Sequence, residues 1–219
     1  MSDGGARVAV DVAVCTVREA ALHVLLARAT GGPFAGAWAL PGGLVRDAEA
    51  LDDAAARMLH DRTGLIDVYL EQLYTFGRPD RDPATRVVSV AYVGLIPDAG
   101  RFPTGAADDG TDVAWAPVRR LPALAYDHAD VVHTAVARLR AKLQYTNLVY
   151  TLLPPTFTVS ELHAVYEAIL GRRLDRRNFR KKILSTGLLA ALDRVRRGAH
   201  RPATLYRFRR RRPMTVEIV

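Results

Sequence analysis

The sequence predicts two domains: a layered α/β domain with a mixed sheet over residues 1–143, then a small helical domain ending in a β-hairpin over residues 144–219. Three observations lead there. The chain has 219 residues, more than the roughly 100–150 around which single domains cluster. Val-rich alternating stretches dominate the first part, whereas short capped helices follow Leu143. Charge divides at the same place: residues 1–143 carry 15 Lys+Arg against 18 Asp+Glu, a balance of −3, and residues 144–219 carry 16 against 5, or +11 of a total of +8.

RVAVDVAVCTV at Arg7–Val17 alternates, and LHVLLA at Leu22–Ala27 repeats the pattern after a short polar turn at Arg18–Ala20, which predicts a β-hairpin. TGGPFAG at Thr30–Gly36 is a loop by its Gly and Pro content, and WALPGG reads as a short strand ending in a glycine turn. Ala48–Arg62 contains no Gly, Pro or β-branched residue and spaces Leu51, Ala55, Met58 and Leu59 helically, with Gly64 as its stop. Strands are expected at Val68–Phe76, Arg86–Ile96 and Val113–Val118, separated by the loops GRPDRDPAT and PDAGRFPTGAADDGT. Asp127–Leu143 closes the domain as a helix with Val131, Ala135, Val136 and Leu139 on one side.

In the second domain Tyr145–Leu153 is expected to be a helix ended by Pro154-Pro155. Thr158-Val159-Ser160-Glu161 is a capping box opening a helix through Leu170, with Gly171 as its stop. Asp175 caps a third helix, closed by Gly187, whose apolar stripe is Phe179, Ile183 and Leu184. Strands at Leu188–Val195 and Thr204–Arg209 flank RRGAHRPA, so the whole reads as a winged helix-turn-helix. Arg176, Arg177, Asn178, Arg180 and Lys181 occupy the outer faces of the third helix, where Arg can pair with guanine and Asn with adenine in a major groove. Arg194, Arg196, Arg197, His200 and Arg201 on the hairpin would contact phosphates or the minor groove. A cationic helix face that is merely solvated is the bland alternative, set against the capped helix, turn and basic hairpin around it.

Composition excludes several classes. Hydrophobic residues at 49% and charged residues at 25% are ordinary globular usage, against wholesale disorder. No apolar run approaches the roughly 20 residues of a bilayer span. MSDGGARVAV lacks the pattern of a secretory signal, so a cytoplasmic, nucleoid-associated protein is expected. Cys15, the single cysteine, sits in an apolar run and is expected as a buried free thiol.

Gly43, Glu49 and Arg57-Met58-Leu59-His60-Asp61-Arg62-Thr63-Gly64-Leu65 resemble the Nudix box, with the spacing complete from Gly43 to Leu65. Three acidic positions have changed: Met58 and Arg62 replace glutamates and Asp61 shortens another. Positions 58, 61 and 62 share one helix face, where carboxylates would hold Mg²⁺ against a pyrophosphate. A thioether does not suit a hard cation and Arg62 adds positive charge, so metal affinity should collapse, leaving Glu49 and Asp61 as residual candidates and no assigned catalytic residue. The pocket can still take a ligand. Gly42 and Gly43 allow close backbone approach, and Arg57, Arg78, Arg81 and Arg86 are the candidate binding residues, the last three as counter-charges for a diphosphate. An ordinary exposed polar loop is the alternative for RPDRDPAT.

WALPGG with the altered box, FGRPDRDP, VVSVAYVGL, YDHADVV, FTVSELHAVYEAILGRRLDRRNFRKKIL and RRGAHRPATLYRF together resemble the Nudix-related transcriptional regulators, NrtR, over nearly the whole chain. The resemblance implies a Nudix-like α/β/α sandwich joined to a winged helix-turn-helix, and a homodimeric repressor of NAD biosynthesis or salvage genes on a palindromic operator of double-stranded DNA. It further implies ADP-ribose or a related NAD-derived nucleotide as effector, with no cofactor required. Two other readings stay open: a Mg-dependent ADP-ribose or nucleoside-diphosphate-sugar pyrophosphatase, and an RNA-associated adaptor, the latter disfavoured by few aromatics in the basic segments.

Overall fold

The structure, a computed structural model, describes residues 5–98, 105–106, 112–196 and 202–216. The chain divides into two compact units: Met1–Cys15, His23–Leu95 and Ala99–Val136 form one, and Thr16–Leu22, Ile96–Asp98 and Ala137–Val219 the other. No helix among the described residues is long and apolar enough to cross a membrane.

Strands β1 (Arg7–Arg18), β2 (Ala21–Arg28), β5 (Tyr69–Phe76), β6 (Val87–Leu95), β7 (Gly105–Ala106) and β8 (Asp112–Pro117) form a mixed sheet in the order β5-β6-β1-β2-β8-β7. The β1/β6 pair is parallel and β5/β6 and β2/β8 are antiparallel. Central β1 is buried from Ala9 through Thr16 because both its faces are covered, which explains a Val and Ala run with only Asp11 as a charge. WALPGG is two short strands rather than one. β3 (Trp38–Ala39) pairs with β2, and β4 (Gly42–Leu44) pairs antiparallel with β1, so Leu40-Pro41 passes from one strand to the next.

Helix α1 spans Leu51–Thr63 and ends at Gly64, whose φ of 70° supplies the left-handed C-cap. It begins three residues later than the composition suggests, because Glu49 bonds the Arg46 N–H in a turn. Helix α2 (His128–Tyr145) buries Val131, Val132, Ala135, Val136, Leu139 and Leu143, the expected face. Cys15 is a buried free thiol, and burial pushes it up to about 12, so it is unreactive at neutral pH.

Glu19 and Ala20 join β1 to β2 with φ of 48° and 58°. A two-residue hairpin turn with positive φ at both positions favours Asn-Gly, because other L-residues are strained there. Replacing Glu19→Asn with Ala20→Gly should raise unfolding free energy by about 1 kcal/mol in urea titrations.

In the other unit Tyr145–Leu153 is not an α-helix. Tyr145 ends α2, and Leu148–Thr151 is a short 3-10 turn. Asn147 sets the break: its amide donates to the Arg212 carbonyl at 3.1 Å and its oxygen accepts from Met214 N–H at 2.8 Å, tying the segment to the C-terminal strand region. Helix α3 (Val159–Leu170) has the full capping box, with Thr158 N–H donating to Glu161 at 2.7 Å and Glu161 N–H to the Thr158 hydroxyl at 3.2 Å. Helix α4 (Arg176–Ser185) is capped by Asp175, which accepts from Asn178 N–H at 2.7 Å. Strands β9 (Leu189–Arg196) and β10 (Ala203–Phe208) form the antiparallel hairpin, and Phe157 bridges to Tyr206. Phe157, Leu162, Tyr166, Ile169, Phe179 and Ile183 make the core. Leu184, expected in the stripe, is 38% exposed, because the i, i+4 pair Phe179 and Ile183 already fills the contact with α3 and leaves position 184 turned outward.

Candidate ligand cavity and nucleic-acid surface

A cavity of about 440 Å³ opens in the first unit, within the roughly 300–1,000 Å³ usual for small-molecule sites. It lies between β1, the Thr30–Pro33 loop, the LPGG turn, α1, the 81–85 loop and the segment entering α2. Gly42 and Gly43 line it, and packing against backbone fixes the identity of Gly42. A Cβ at Gly42 would stand 2.5 Å from the Val10 carbonyl oxygen, and one at Gly43 would stand 2.6 Å from Met58 Cε. The absent side chain at Gly42 lets β4 lie against β1, while at Gly43 the movable end of Met58 occupies the space.

A buried ionic network forms one wall. Arg81 reaches Asp127 at 2.7 and 3.1 Å and Asp11 at 3.0 Å. Ser89 donates to Asp11 at 2.5 Å, and His128 Nε2 stands 3.3 Å from its other oxygen. Leu40 N–H donates to His128 Nδ1 at 2.9 Å, which places the ring proton on Nε2, toward Asp11. Burial opposes ionisation of Asp11, but His128, Ser89 and Arg81 outweigh it and hold the carboxyl well below the usual range. The network joins the LPGG turn, the central strand, the 81–85 loop and the first residue of α2. Beside it Tyr126 lines the cavity with φ of 52°, its ring 4.7 Å from that of Phe34.

The box helix shows what became of the altered acids. Glu49 takes two hydrogen bonds from Arg57, one of 2.6 Å, and Arg57 lowers its carboxyl to about 2. Arg57 also donates to the Leu44 carbonyl at 3.4 Å and stands 3.7 Å from Asp61. Asp61 is half exposed and, like Glu49, does not line the cavity, whereas Met58 and Arg62 do. The donor set on this face is therefore a thioether and a guanidinium, which does not fit Mg²⁺. Among the described residues no three His, Cys, Asp or Glu converge to hold a metal ion.

Of the arginines expected to meet a diphosphate, the structure brings only Arg81 to the cavity, and its charge is spent on Asp11 and Asp127. Arg57 braces the loop before α1 through Glu49 and does not line the cavity. Arg78 is exposed and 3.6 Å from Asp80, and Arg86 donates to the carbonyls of Arg78 and Val87, so both act within their loop. Arg7, Arg28 and Arg62 are the other cavity arginines. The Arg28 guanidinium lies 3.8 Å over the Trp38 ring and donates to the Gly36 carbonyl. Asp11, a lone charge in an apolar run, was the available signal for the polar wall.

In the second unit Arg176, Arg177, Asn178, Arg180 and Lys181 are all exposed, and the basic face continues at Lys182, which the sequence reading leaves out. Arg194 is exposed on β9, while Arg196 pairs with Glu161 and so ties the hairpin to α3. Arg197, His200 and Arg201 lie outside the described residues.

Residues 6–135 match the NUDIX domain and residues 149–208 the NrtR DNA-binding winged helix domain. The chain is 37% identical over 202 residues to an ADPR responsive transcriptional repressor NtrR of Acinetobacter baylyi, covering 91% of this chain and 80% of that one. Shewanella oneidensis NrtR, solved with a 27mer DNA, superposes with a TM-score of 0.79 at 31% identity, covering 92% of this chain and 93% of that one. An ADP-ribose pyrophosphatase of Methanocaldococcus jannaschii is 34% identical over 121 residues, 55% of this chain and 70% of that one. With both domain matches in order along one chain, and similarity to repressor relatives running through both, the protein belongs to the NrtR family of NUDIX proteins with a winged-helix DNA-binding domain.

Proposed function

We propose that this protein is an ADP-ribose-responsive transcriptional repressor of NAD biosynthesis or salvage genes, acting as a homodimer on a palindromic operator and not as a hydrolase. Residues 1–143 serve as the effector-binding part and 144–219 as the DNA-binding part. The carrying observation is that the cavity presents Met58 and Arg62 where a metal-dependent hydrolase needs carboxylates, on a chain that also bears the exposed cationic α4. The Shewanella oneidensis NUDIX domain of NrtR solved with ADP-ribose, 30% identical with a TM-score of 0.52 over 62% of this chain and 90% of that one, supports the effector class.

The rival is a Mg-dependent pyrophosphatase using Glu49 and Asp61, which the similarity to the Methanocaldococcus enzyme favours. Incubation of the full chain with ADP-ribose and Mg²⁺ or Mn²⁺ is expected to release no AMP above a protein-free control. Metal-dependent turnover lost on Asp61→Ala would establish the enzyme instead. Gel shifts complete the test: a palindromic duplex should bind and its scrambled counterpart should not, and equal binding to both would rule out specific regulation.

A further inference from the structure

Among the described residues four arginines and two aspartates, Asp11 and Asp82, line the cavity, and Asp127 stands against Arg81 in the same wall. Asp11 is committed to Arg81, and Asp82 accepts from Ala84 N–H at 2.8 Å. With Arg81 met by Asp11 and Asp127, the described wall still holds more arginines than aspartates, a balance suited to an anion. Arg62 is the cation placed by the box helix itself. It stands one turn after Met58, both line the cavity, and its guanidinium donates to the Thr30 hydroxyl at 2.5 Å. That partner is neutral. A phosphate oxygen makes a charge-assisted bond to guanidinium about twice as strong as a neutral one, and so can displace or share the hydroxyl.

We propose that the Arg62 guanidinium takes the place of the divalent cation in this cavity and binds the diphosphate of the ligand directly, making recognition independent of metal. The proposal rests on the reading of the cavity as a site for ADP-ribose. A carboxylate at 62 would need a metal to bridge two groups of like charge, whereas an arginine supplies the positive charge permanently and offers a planar fork to two oxygens. The same substitution that removes a metal ligand therefore adds a ligand for phosphate. Met58 lies against Gly43 and contributes an apolar contact to the cavity in place of a carboxylate.

The test is isothermal titration calorimetry of the full chain with ADP-ribose, in excess EDTA and in Mg²⁺, using adenosine as a probe without phosphate. Wild-type protein should bind ADP-ribose equally well in both buffers. Arg62→Met should weaken ADP-ribose roughly ten- to a hundredfold, as expected for losing hydrogen bonds to a charged group, with adenosine affinity unchanged. Arg62→Lys, keeping the charge without the fork, should fall between, and Arg62→Glu, which reverses the charge beside the diphosphate, should bind weakest in both buffers. Thermal unfolding of the variants checks that the half-buried position tolerates change; a variant that unfolds is replaced in the comparison by Arg62→Lys. Wild-type binding abolished by EDTA, or Arg62 variants that bind ADP-ribose as tightly as wild type, would overturn the proposal while leaving the effector reading intact. Absence of ADP-ribose binding to wild type in either buffer would overturn both.

Discussion

Replacing Arg176 and Arg177 together by Ala is expected to remove specific operator binding while the protein melts as before. Both residues are exposed in the first turn of α4, and the helix is anchored by Phe179 and Ile183, whose burial the change does not touch. Ala is a better helix former than Arg and the Asp175 cap remains, so the helix should persist. Each well-made Arg contact to a base contributes about 1–3 kcal/mol, so two lost contacts weaken binding by roughly 30-fold to 10⁴-fold. Where one of the two instead meets phosphate, the salt dependence should become shallower by about one unit of slope. Fluorescence anisotropy of a labelled duplex at several salt concentrations measures both quantities. Unchanged affinity would show that α4 does not read the DNA.

Removing the Arg81 guanidinium should be the most damaging single change in the first unit. Arg81→Leu would leave Asp11 and Asp127 facing each other across a buried wall, with no cation between them. Breaking a buried pair by deleting one partner costs about 3–5 kcal/mol, a large fraction of a typical folding free energy of roughly 5–15 kcal/mol. Expression in inclusion bodies or a much lowered melting temperature is therefore expected, whereas Arg78→Ala, at an exposed pair, should change stability by less than about 0.5 kcal/mol. The pH response has a definite sign. Asp11 is held below its ordinary value in the folded chain, so its contribution is fully present above about 3.8 and is lost as pH falls below that point. Urea midpoints measured from pH 6 to pH 3 should decline in wild type, and Asp11→Asn should flatten the acid part of that decline. Equal midpoints for wild type and Arg81→Leu would show that the network does not stabilise the fold.

Local chemistry was readable from residues close together in the chain. The Thr158–Glu161 box, the Asp175 cap and the glycines at 64 and 171 act within a turn of their helices, and the structure has each of them. The break at Asn147 was not readable, because what interrupts the helix is a pair of bonds to residues 65 and 67 positions away. Arg81 shows the same limit within the site. Its loop looks exposed and polar, but its partners Asp127 and Asp11 are 46 and 70 positions distant, and only the fold reveals that its charge is already used. Arg62 lies between these cases: the box spacing identifies it as a replaced acid, while its bond to Thr30, 32 positions away, shows that it belongs to the cavity.

Under the proposed function one chain both reads an operator and responds to ADP-ribose. Anisotropy of a palindromic duplex titrated with the full chain, at saturating ADP-ribose and without it, tests this directly. Coupling free energies between sites are typically about 1–3 kcal/mol, so operator Kd should change by roughly 5- to 150-fold, and equally in EDTA. An operator Kd identical with and without bound ADP-ribose would contradict it.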